Sequence, residues 1–302
     1  MLGFFRVKPG ISPTYGKPGH GRPFWCFGPS GPHETGSWLR GGNDRTRKHP
    51  ESIAGLELPP LAAGRSRETF VIQWNILCDF DGTIAVEDVT DSLLDRFAPP
   101  EWQVLERDWR AGKIGSAECM AGQVALLEAS HDEIDQHLAT MRIDAAFPQF
   151  VDAALAAGAT LRIVSDGLDH AIRAILSRHQ LDGLPVLANR LVQIGPRHWK
   201  LETPFSNPQC RVGSGHCKCA SAVREHNRHH RVLLIGDGAS DFCAAGEADY
   251  VFAKHRLVEH CRHAGIPHTP IVGFADAIAL LPSLLTGKLH TPQRALTPVP
   301  VL

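Results

Sequence analysis

Asp79-Phe80-Asp81-Gly82-Thr83 follows directly on the apolar run from Trp74 to Cys78. This junction constrains the fold more than any other stretch, because it sets two carboxylates at the end of a predicted strand. Open α/β sheets place their chemistry at such ends. The two-residue period of a strand turns Asp79 and Asp81 to one side and Phe80 into packing, and Gly82 lets the chain swing out of the strand. Two like charges in one small space call for a divalent cation or a shared proton. Taken alone, Asp-x-Asp-Gly also describes an ordinary acidic turn, so later segments must decide.

Three of them do. Leu161-Arg162-Ile163-Val164 reads as a second buried strand, ending in Ser165-Asp166-Gly167, which offers a hydroxyl and loop amides. Lys218 stands in Gly215-His216-Cys217-Lys218-Cys219, at the start of a predicted helix. Val232-Leu233-Leu234-Ile235 is a third apolar strand, and it runs into Gly236-Asp237-Gly238-Ala239-Ser240-Asp241. In this order and spacing, over residues 73–285, the four segments resemble the motifs of the haloacid dehalogenase (HAD) superfamily. Its members are mostly Mg²⁺-dependent phosphohydrolases with an aspartate nucleophile. The resemblance implies an α/β fold, a HAD-like Rossmannoid parallel sheet core with a small all-helical cap inserted after the first strand.

The residues between the first two motifs carry the pattern such an insert needs. Residues 87–145 read as helical and bring no strand. Glu101 to Ala111 has a partly apolar face, Ser116 can cap a helix through Leu127, and Ser130-His131-Asp132-Glu133 is a capping box that sets Ile134 and Leu138 on one face. The catalytic core is then expected over residues 71–86 and 146–290, with a flexible tail over 291–302. After the insert, helices are predicted over 147–157, 169–180, 219–229, 241–247, 256–263 and 274–281. Strands are predicted over 159–164, 231–235 and 250–252, with residues 185–194 forming an antiparallel hairpin that continues through Trp199. By resemblance to the phosphoserine-phosphatase-like subgroup, the cap closes over the phosphate and excludes competing water.

The resemblance also implies roles. Asp79 is the nucleophile, ionised at neutral pH and able to form an aspartyl-phosphate. Asp81 protonates the leaving oxygen and then takes a proton from water. Mg²⁺ is held by the Asp79 carboxylate, the Asp81 main-chain carbonyl and the Asp237 carboxylate, with Asp241 holding a metal water or Lys218. Lys218 and Ser165 stabilise the transferring phosphoryl group. Gly82, Thr83, Asp88, Asp166 and Gly167 complete the substrate contacts.

The expected substrate is a small phosphorylated metabolite. Residues 78–84, Asp88, Cys217-Lys218 and Phe252-Ala253-Lys254 are similar to the phosphatases acting on 2-hydroxy-3-keto-5-methylthiopentenyl-1-phosphate, an enol phosphate of methionine salvage. Phosphoserine phosphatases usually carry Glu at the ninth position after the nucleophile, where this chain has Asp88. The second motif also departs from its family pattern, with Asp166 where a small residue is typical. A carboxylate there repels phosphate unless it turns outward or pairs with Lys or Arg. Trp102, Trp109, Arg110 and Glu118 of the insert are candidates for choosing the substrate. A non-catalytic HAD-like binding or regulatory protein, or a transferase to another acceptor, is the competing reading. The presence of Asp81 favours hydrolysis.

Composition excludes other classes. The net charge of −1 over 302 residues divides unevenly: residues 1–66 hold nine Lys and Arg against four Asp and Glu, and the remainder holds 22 against 28. The catalytic part therefore lacks the basic stripe that nucleic-acid binding requires. Residues 1–66 also hold 12 Gly and 9 Pro without any helical or strand period, so residues 1–70 are expected to be disordered. Their simplest origin is a start codon placed too far upstream, with translation beginning near Phe70 to Trp74. No secretory h-region and no run of eighteen apolar residues occurs, so no membrane partner is expected. Eight cysteines in a chain of this size fit reduced thiols in a cytoplasm. Cys210, His216, Cys217 and Cys219 form a local set of soft ligands, but Cys-x-Cys lacks the two-residue spacing usual in zinc knuckles. Oligomeric state has no signature in the sequence.

Overall fold

All five residues of strand β1, Trp74–Cys78, are buried, as a central strand covered on both faces requires. The computed structural model describes residues 73–228 and 230–289; the expectations for residues 1–70 and 291–302 lie outside them. Six further strands complete one sheet: β2 Thr160–Leu168, β3 Val186–Gln193, β4 Trp199–Glu202, β5 Arg231–Gly236, β6 Tyr250–Ala253 and β7 His268–Pro270. Their order is β4-β3-β2-β1-β5-β6-β7. Only the β3–β4 pair is antiparallel. The fold is thus an α/β, Rossmann-like sheet, with the helical crossovers that parallel neighbours require.

Register decides where the motifs meet. Cys78 of β1 lies opposite Ile163 of β2 on one side and Ile235 of β5 on the other. The residues that follow each of these therefore emerge side by side at one sheet edge. Asp79 extends the pairing by one bond, its N–H donating to Ile235 O at 2.9 Å.

Five helices lie between β1 and β2, and the first four make up the insert: α1 Val89–Phe97, α2 Trp102–Arg110, α3 Ser116–Ala125 and α4 His131–Leu138. A bridge between Ala85 and Ile143 closes the neck of this insert, with Val86 N–H donating to Arg142 O at 3.0 Å and Asp144 N–H to Ile84 O at 2.8 Å. The insert has no core of its own. Leu93, Leu94, Leu127, Ile134 and Leu138 join the same apolar cluster as Ile76, Phe80 and Ile163 of the sheet region. Each such side chain stabilises by about 1.5–3 kcal/mol when fully buried, so the seat of the insert on the sheet is firm.

The remaining helices are α5 Phe147–Ala156, α6 Asp169–Ser177, α7 Lys218–His226, α8 Phe242–Ala245, α9 His255–Ala264 and α10 Phe274–Leu285. Glu225 anchors α7 beneath the sheet, accepting from Asn75 Nδ2 of β1 at 2.7 Å and from Arg162 Nη1 of β2 at 2.9 Å. These bonds pin the last turn of α7, at the opposite end of the helix from Lys218. No helix among the described residues is long and apolar enough to cross a membrane.

The structure departs from the sequence expectations at irregular places. Strand β2 runs on past Val164 to Leu168 with a register shift against β3, so Ser165-Asp166-Gly167 lies inside a distorted strand end. The expected hairpin over residues 185–194 is one strand, turned by an Ile194 N–H to His198 O bond of 2.9 Å and answered by β4. The short helix expected over 241–247 divides into a 3₁₀ turn, Ala239–Asp241, and α8. β7 is three residues long and contains Pro, with no alternating apolar pattern to announce it.

Candidate active site

Asp79 stands at the end of β1 with 4% of its surface exposed, and Lys218 at the start of α7 with 2%. Asp79 Oδ1 accepts from Phe80 N–H at 2.7 Å and pairs with Lys218 Nζ at 2.8 Å. The same ammonium reaches Asp241 Oδ1 at 2.7 Å and Ser240 Oγ at 3.3 Å. The other Asp241 oxygen accepts the N–H groups of Asp237 and Gly238 at 3.0 and 3.2 Å. Asp241 therefore orders the loop after β5 and holds Lys218, with both of its oxygens engaged.

Asp237 is fixed from the opposite side. Thr83 Oγ1 donates to its Oδ1 at 3.3 Å, and Gly82, in the left-handed region at φ +67°, passes so close that a Cβ would lie 2.7 Å from Asp237 Oδ2. Thr83 is itself buried, and its carbonyl accepts from Lys254 Nζ at 3.1 Å. Thr83 does not line the cavity; it holds Asp237, which differs from the substrate contact expected of it. Lys254, at the end of β6, was not singled out from sequence as a site residue. Its signal was the same as for the acids: a polar residue directly after an apolar strand.

Asp81 turns toward the insert, its Oδ1 accepting Val89 N–H, the first residue of α1, at 2.9 Å. A Cβ on Gly167 would collide with its other oxygen, so a residue without a side chain is needed there. Ser165 Oγ accepts Gly167 N–H at 3.0 Å, leaving the hydroxyl proton for another partner. Asp166 is satisfied without Lys or Arg: its carboxylate accepts from Ser116 Oγ, from Asn189 Nδ2 at 3.1 Å and from His216 N–H at 2.9 Å. Three neutral donors thus offset the charge that the second motif adds. Asp88 spends Oδ1 on capping α1 through Asp91 N–H at 2.9 Å.

A cavity of about 270 Å³ lies between these strand ends and helices α1 to α3. Asp79, Asp81, Ser165, Gly167 and Asp237 form its floor; Asp88, Asp91, Glu106, Trp109, Arg110 and Met120 are among the residues of the insert that face it. Of the four insert residues expected to choose the substrate, Trp109 and Arg110 line the cavity. Trp102 is buried in the core and Glu118 is exposed elsewhere.

Electrostatics test whether a cation belongs here. Asp79, Asp237 and Asp241 bring carboxylate oxygens within 4.8 Å of one another, and Lys218 balances one of the three charges. Burial, then Asp241, raises the Asp79 carboxyl well above the ordinary range, with Lys218 opposing; burial and then Asp241 raise Asp237 in the same way. Lys218 is pulled down by burial, yet Asp241 and Asp79 more than offset this and hold its pKa above the ordinary value. The donor set therefore lacks positive charge and offers carboxylate oxygens on Asp79 and Asp237 that no bond described above uses. A hard divalent cation such as Mg²⁺ fits it. Burial, then Asp88, also raises the Asp81 carboxyl above the ordinary range.

The cysteine set resolves differently from its sequence pattern. The ring of His216 is engaged at both nitrogens, with Leu187 O at 2.7 Å and Ser221 Oγ at 3.0 Å. Cys219 instead touches Cys217 and, from α8, Cys243, each at 3.3 Å between sulfurs.

A family model for haloacid dehalogenase-like hydrolases matches residues 76–246. The 2-hydroxy-3-keto-5-methylthiopentenyl-1-phosphate phosphatase of Geobacillus kaustophilus (strain HTA426) is 33% identical over 216 residues, spanning 68% of this chain and 94% of that protein. The protein of the same name from Brevibacillus brevis is 32% identical over 210 residues, with 68% and 94% covered. Among solved structures, a phospho-aspartyl intermediate analogue of phosphoserine phosphatase superposes with a TM-score of 0.54 at 17% identity, covering 69% of this chain and 98% of its own. A substrate-bound phosphoserine phosphatase gives 0.52 at 16%, covering 68% and 97%. These last two likenesses concern the fold.

Proposed function

The chain belongs to the haloacid dehalogenase-like hydrolases, and from that premise we propose that it is a Mg²⁺-dependent phosphomonoester hydrolase working through an aspartyl-phosphate on Asp79. One observation carries the reading. Asp79, Asp81 and Asp237 line the floor of one cavity, and directly behind that floor the buried Lys218 bridges Asp79 to Asp241.

The chain's own residues divide the work. Asp79 attacks phosphorus, and the bond from phosphorus to the substrate oxygen breaks. Asp81 gives its proton to that departing oxygen, then takes a proton from the water that attacks the aspartyl-phosphate. Inorganic phosphate leaves and Asp79 is regenerated. Lys218, Ser165 and the loop amides near Gly82 and Gly167 face the charge that develops on the transferring group. Asp79 and Asp237 would hold Mg²⁺, together with the Asp81 carbonyl, and Asp241 acts behind them. When bound, the ion supplies the positive charge that this acidic site lacks and lets Asp79 stay ionised.

The two steps of Asp81 separate on leaving-group chemistry. Asp81→Asn should cost about 10²–10⁴ in kcat with an alkyl phosphate, the usual worth of a positioned acid and base. With p-nitrophenyl phosphate the departing oxygen needs no proton, so the first step stays fast while the second slows. Stopped-flow traces should then show a burst of nitrophenolate that the native enzyme lacks. Equal losses on both substrates with no burst would remove Asp81 from the proton transfers.

Chelation tests the cation. Activity should vanish in EDTA and return with Mg²⁺, and Asp237→Asn should raise the Mg²⁺ concentration needed for half activation. Stability supplies a second readout. A carboxyl whose folded pKa is raised costs stability as pH climbs from its unfolded value, about 3.9, through the folded one. In the ion-free protein at pH 7 that cost is present, and Asp237→Asn removes it. The melting temperature without metal should therefore rise by about 2–4 °C, the shift that ~1 kcal/mol produces in a domain of this size. A fall instead would mean that Asp237 is a structural residue.

For substrate, the names of the similar curated proteins point to 2-hydroxy-3-keto-5-methylthiopentenyl-1-phosphate. Trp109, Met120 and Cys119 on the cavity wall suit a thioether chain. A second reading, phosphoserine, is favoured by the acidic group Asp88, Asp91 and Glu106, beside which Arg110 pairs with Glu106 at 2.8 Å. Burial, then Asp88 and Glu106, raises Asp91 to about 7, so an ammonium there would draw these acids into ionisation. Comparing kcat/KM for the two substrates decides between them.

A further inference from the structure

Between α4 of the insert and α6 of the core, two imidazoles and one carboxylate converge across a helix pair. His131 and Asp135 are separated by one turn of α4, so both project from one face. His170 faces them from the second position of α6. Asp135 Oδ2 lies 3.1 Å from His131 Nδ1, and Asp135 Oδ1 lies 2.7 Å from His170 Nε2. One ligand atom from each of the three residues falls within a common 4.8 Å.

The rings are held where they are. His131 opens α4 directly after the Ser130 capping box, in which Glu133 Oε2 accepts Ser130 N–H at 2.7 Å, and Arg197 Nη1 fixes Glu133 at 2.6 Å. His170 follows Asp169, whose Oδ1 accepts both His170 N–H at 2.8 Å and Leu191 N–H at 3.0 Å. The two imidazoles meet edge to face at 4.6 Å between centroids, and Trp199 lies 6.1 Å from His131. Side-chain exposures of 48%, 44% and 28% for His131, Asp135 and His170 leave a path for an ion and room for water.

We propose that His131, Asp135 and His170 form a Zn²⁺ site that clasps α4 of the insert to α6 of the core, separate from the carboxylate site on the cavity floor. Bonds of about 2.0–2.1 Å in a tetrahedron set donors roughly 3.4 Å apart, so the 3.1 and 2.7 Å contacts need to open by less than about 1 Å, within a set that already lies inside 4.8 Å. The ion takes the place of the protons now shared between the rings and the carboxylate, which leave to solvent, while each ring keeps a proton on its outer nitrogen. Two imidazoles and a carboxylate suit zinc and its neighbours; Mg²⁺, which demands oxygen, does not compete. The site is structural in character. Helix α6 begins at the residue after Leu168, immediately beyond Ser165–Gly167, so the clasp steadies the end of β2.

The test is Zn²⁺ titration of the full chain by calorimetry, with Mg²⁺ in excess to keep the carboxylate site filled. One equivalent should bind, and the melting temperature should rise with Zn²⁺ concentration, as binding to the native state alone requires. His170→Ala and Asp135→Asn should each weaken that equivalent by about tenfold or more, since loss of even an outer-shell partner costs 10–100-fold. Phosphatase activity with Mg²⁺ should be unchanged in both, which also reports that they fold. Co²⁺ provides the spectroscopic check: bound here, it shows ligand-field bands without sulfur charge transfer. Binding that survives both substitutions, that disappears with Cys219→Ala, or that is absent altogether overturns the assignment.

Discussion

Asp79→Asn should abolish turnover, with a loss of about 10⁴-fold or more in kcat, the scale on which removal of a covalent nucleophile acts elsewhere. The amide matches the carboxylate in shape and can still accept from Phe80 N–H and face Lys218, so the fold should persist. It also removes one of three crowded carboxylates, and the metal-free protein should melt no lower than the native one. Loss of activity without loss of stability separates a chemical role from a structural one. Near-native turnover in this variant would mean that water is the direct attacker and that Asp79 only holds the cation.

Lys218→Met should do damage of both kinds. The side chain is 1% exposed and bridges Asp79 and Asp241, which are 5% and 0% exposed. Breaking a buried pair by removing one partner costs about 3–5 kcal/mol, because the other charge is left without compensation. Removing a donor aimed at the transferring group costs a further 10²–10³ in kcat. The variant should therefore melt lower by roughly 6–20 °C in a domain of this size, and remain impaired even well below its melting temperature. Mg²⁺ should restore part of the stability and little of the rate. A variant that folds normally and turns over at the native rate would remove Lys218 from both the buried charge array and the chemistry.

What could be read in advance divides along physical lines. The strand ends bearing Asp79, Ser165 and Asp237 were legible because buried parallel strands are continuous apolar runs, and the residue after such a run has to stand at the sheet edge. Their convergence was not legible from any one segment. It follows from the pairing of Cys78 with Ile163 and Ile235, which only the strand order establishes. The capping box at Ser130 was visible because it is local. Thr83 was misplaced because its hydroxyl could face either the cavity or Asp237, and strand periodicity ends before it. Asp166 was expected to turn outward or to pair with Lys or Arg, yet Ser116, Asn189 and the His216 amide, far from it in sequence, supply neutral donors. Long-range hydrogen bonds of this kind leave no periodic trace.

The central claim is that phosphate passes through Asp79, and one measurement addresses it most directly. Enzyme and substrate are mixed with Mg²⁺, quenched in acid within the first turnover, digested and analysed by mass spectrometry. The account predicts a transient phosphate on the peptide containing Asp79, labile to hydroxylamine, formed before inorganic phosphate appears and absent in Asp79→Asn. Inorganic phosphate appearing at the native rate with no phosphorylated peptide at any quench time would contradict it.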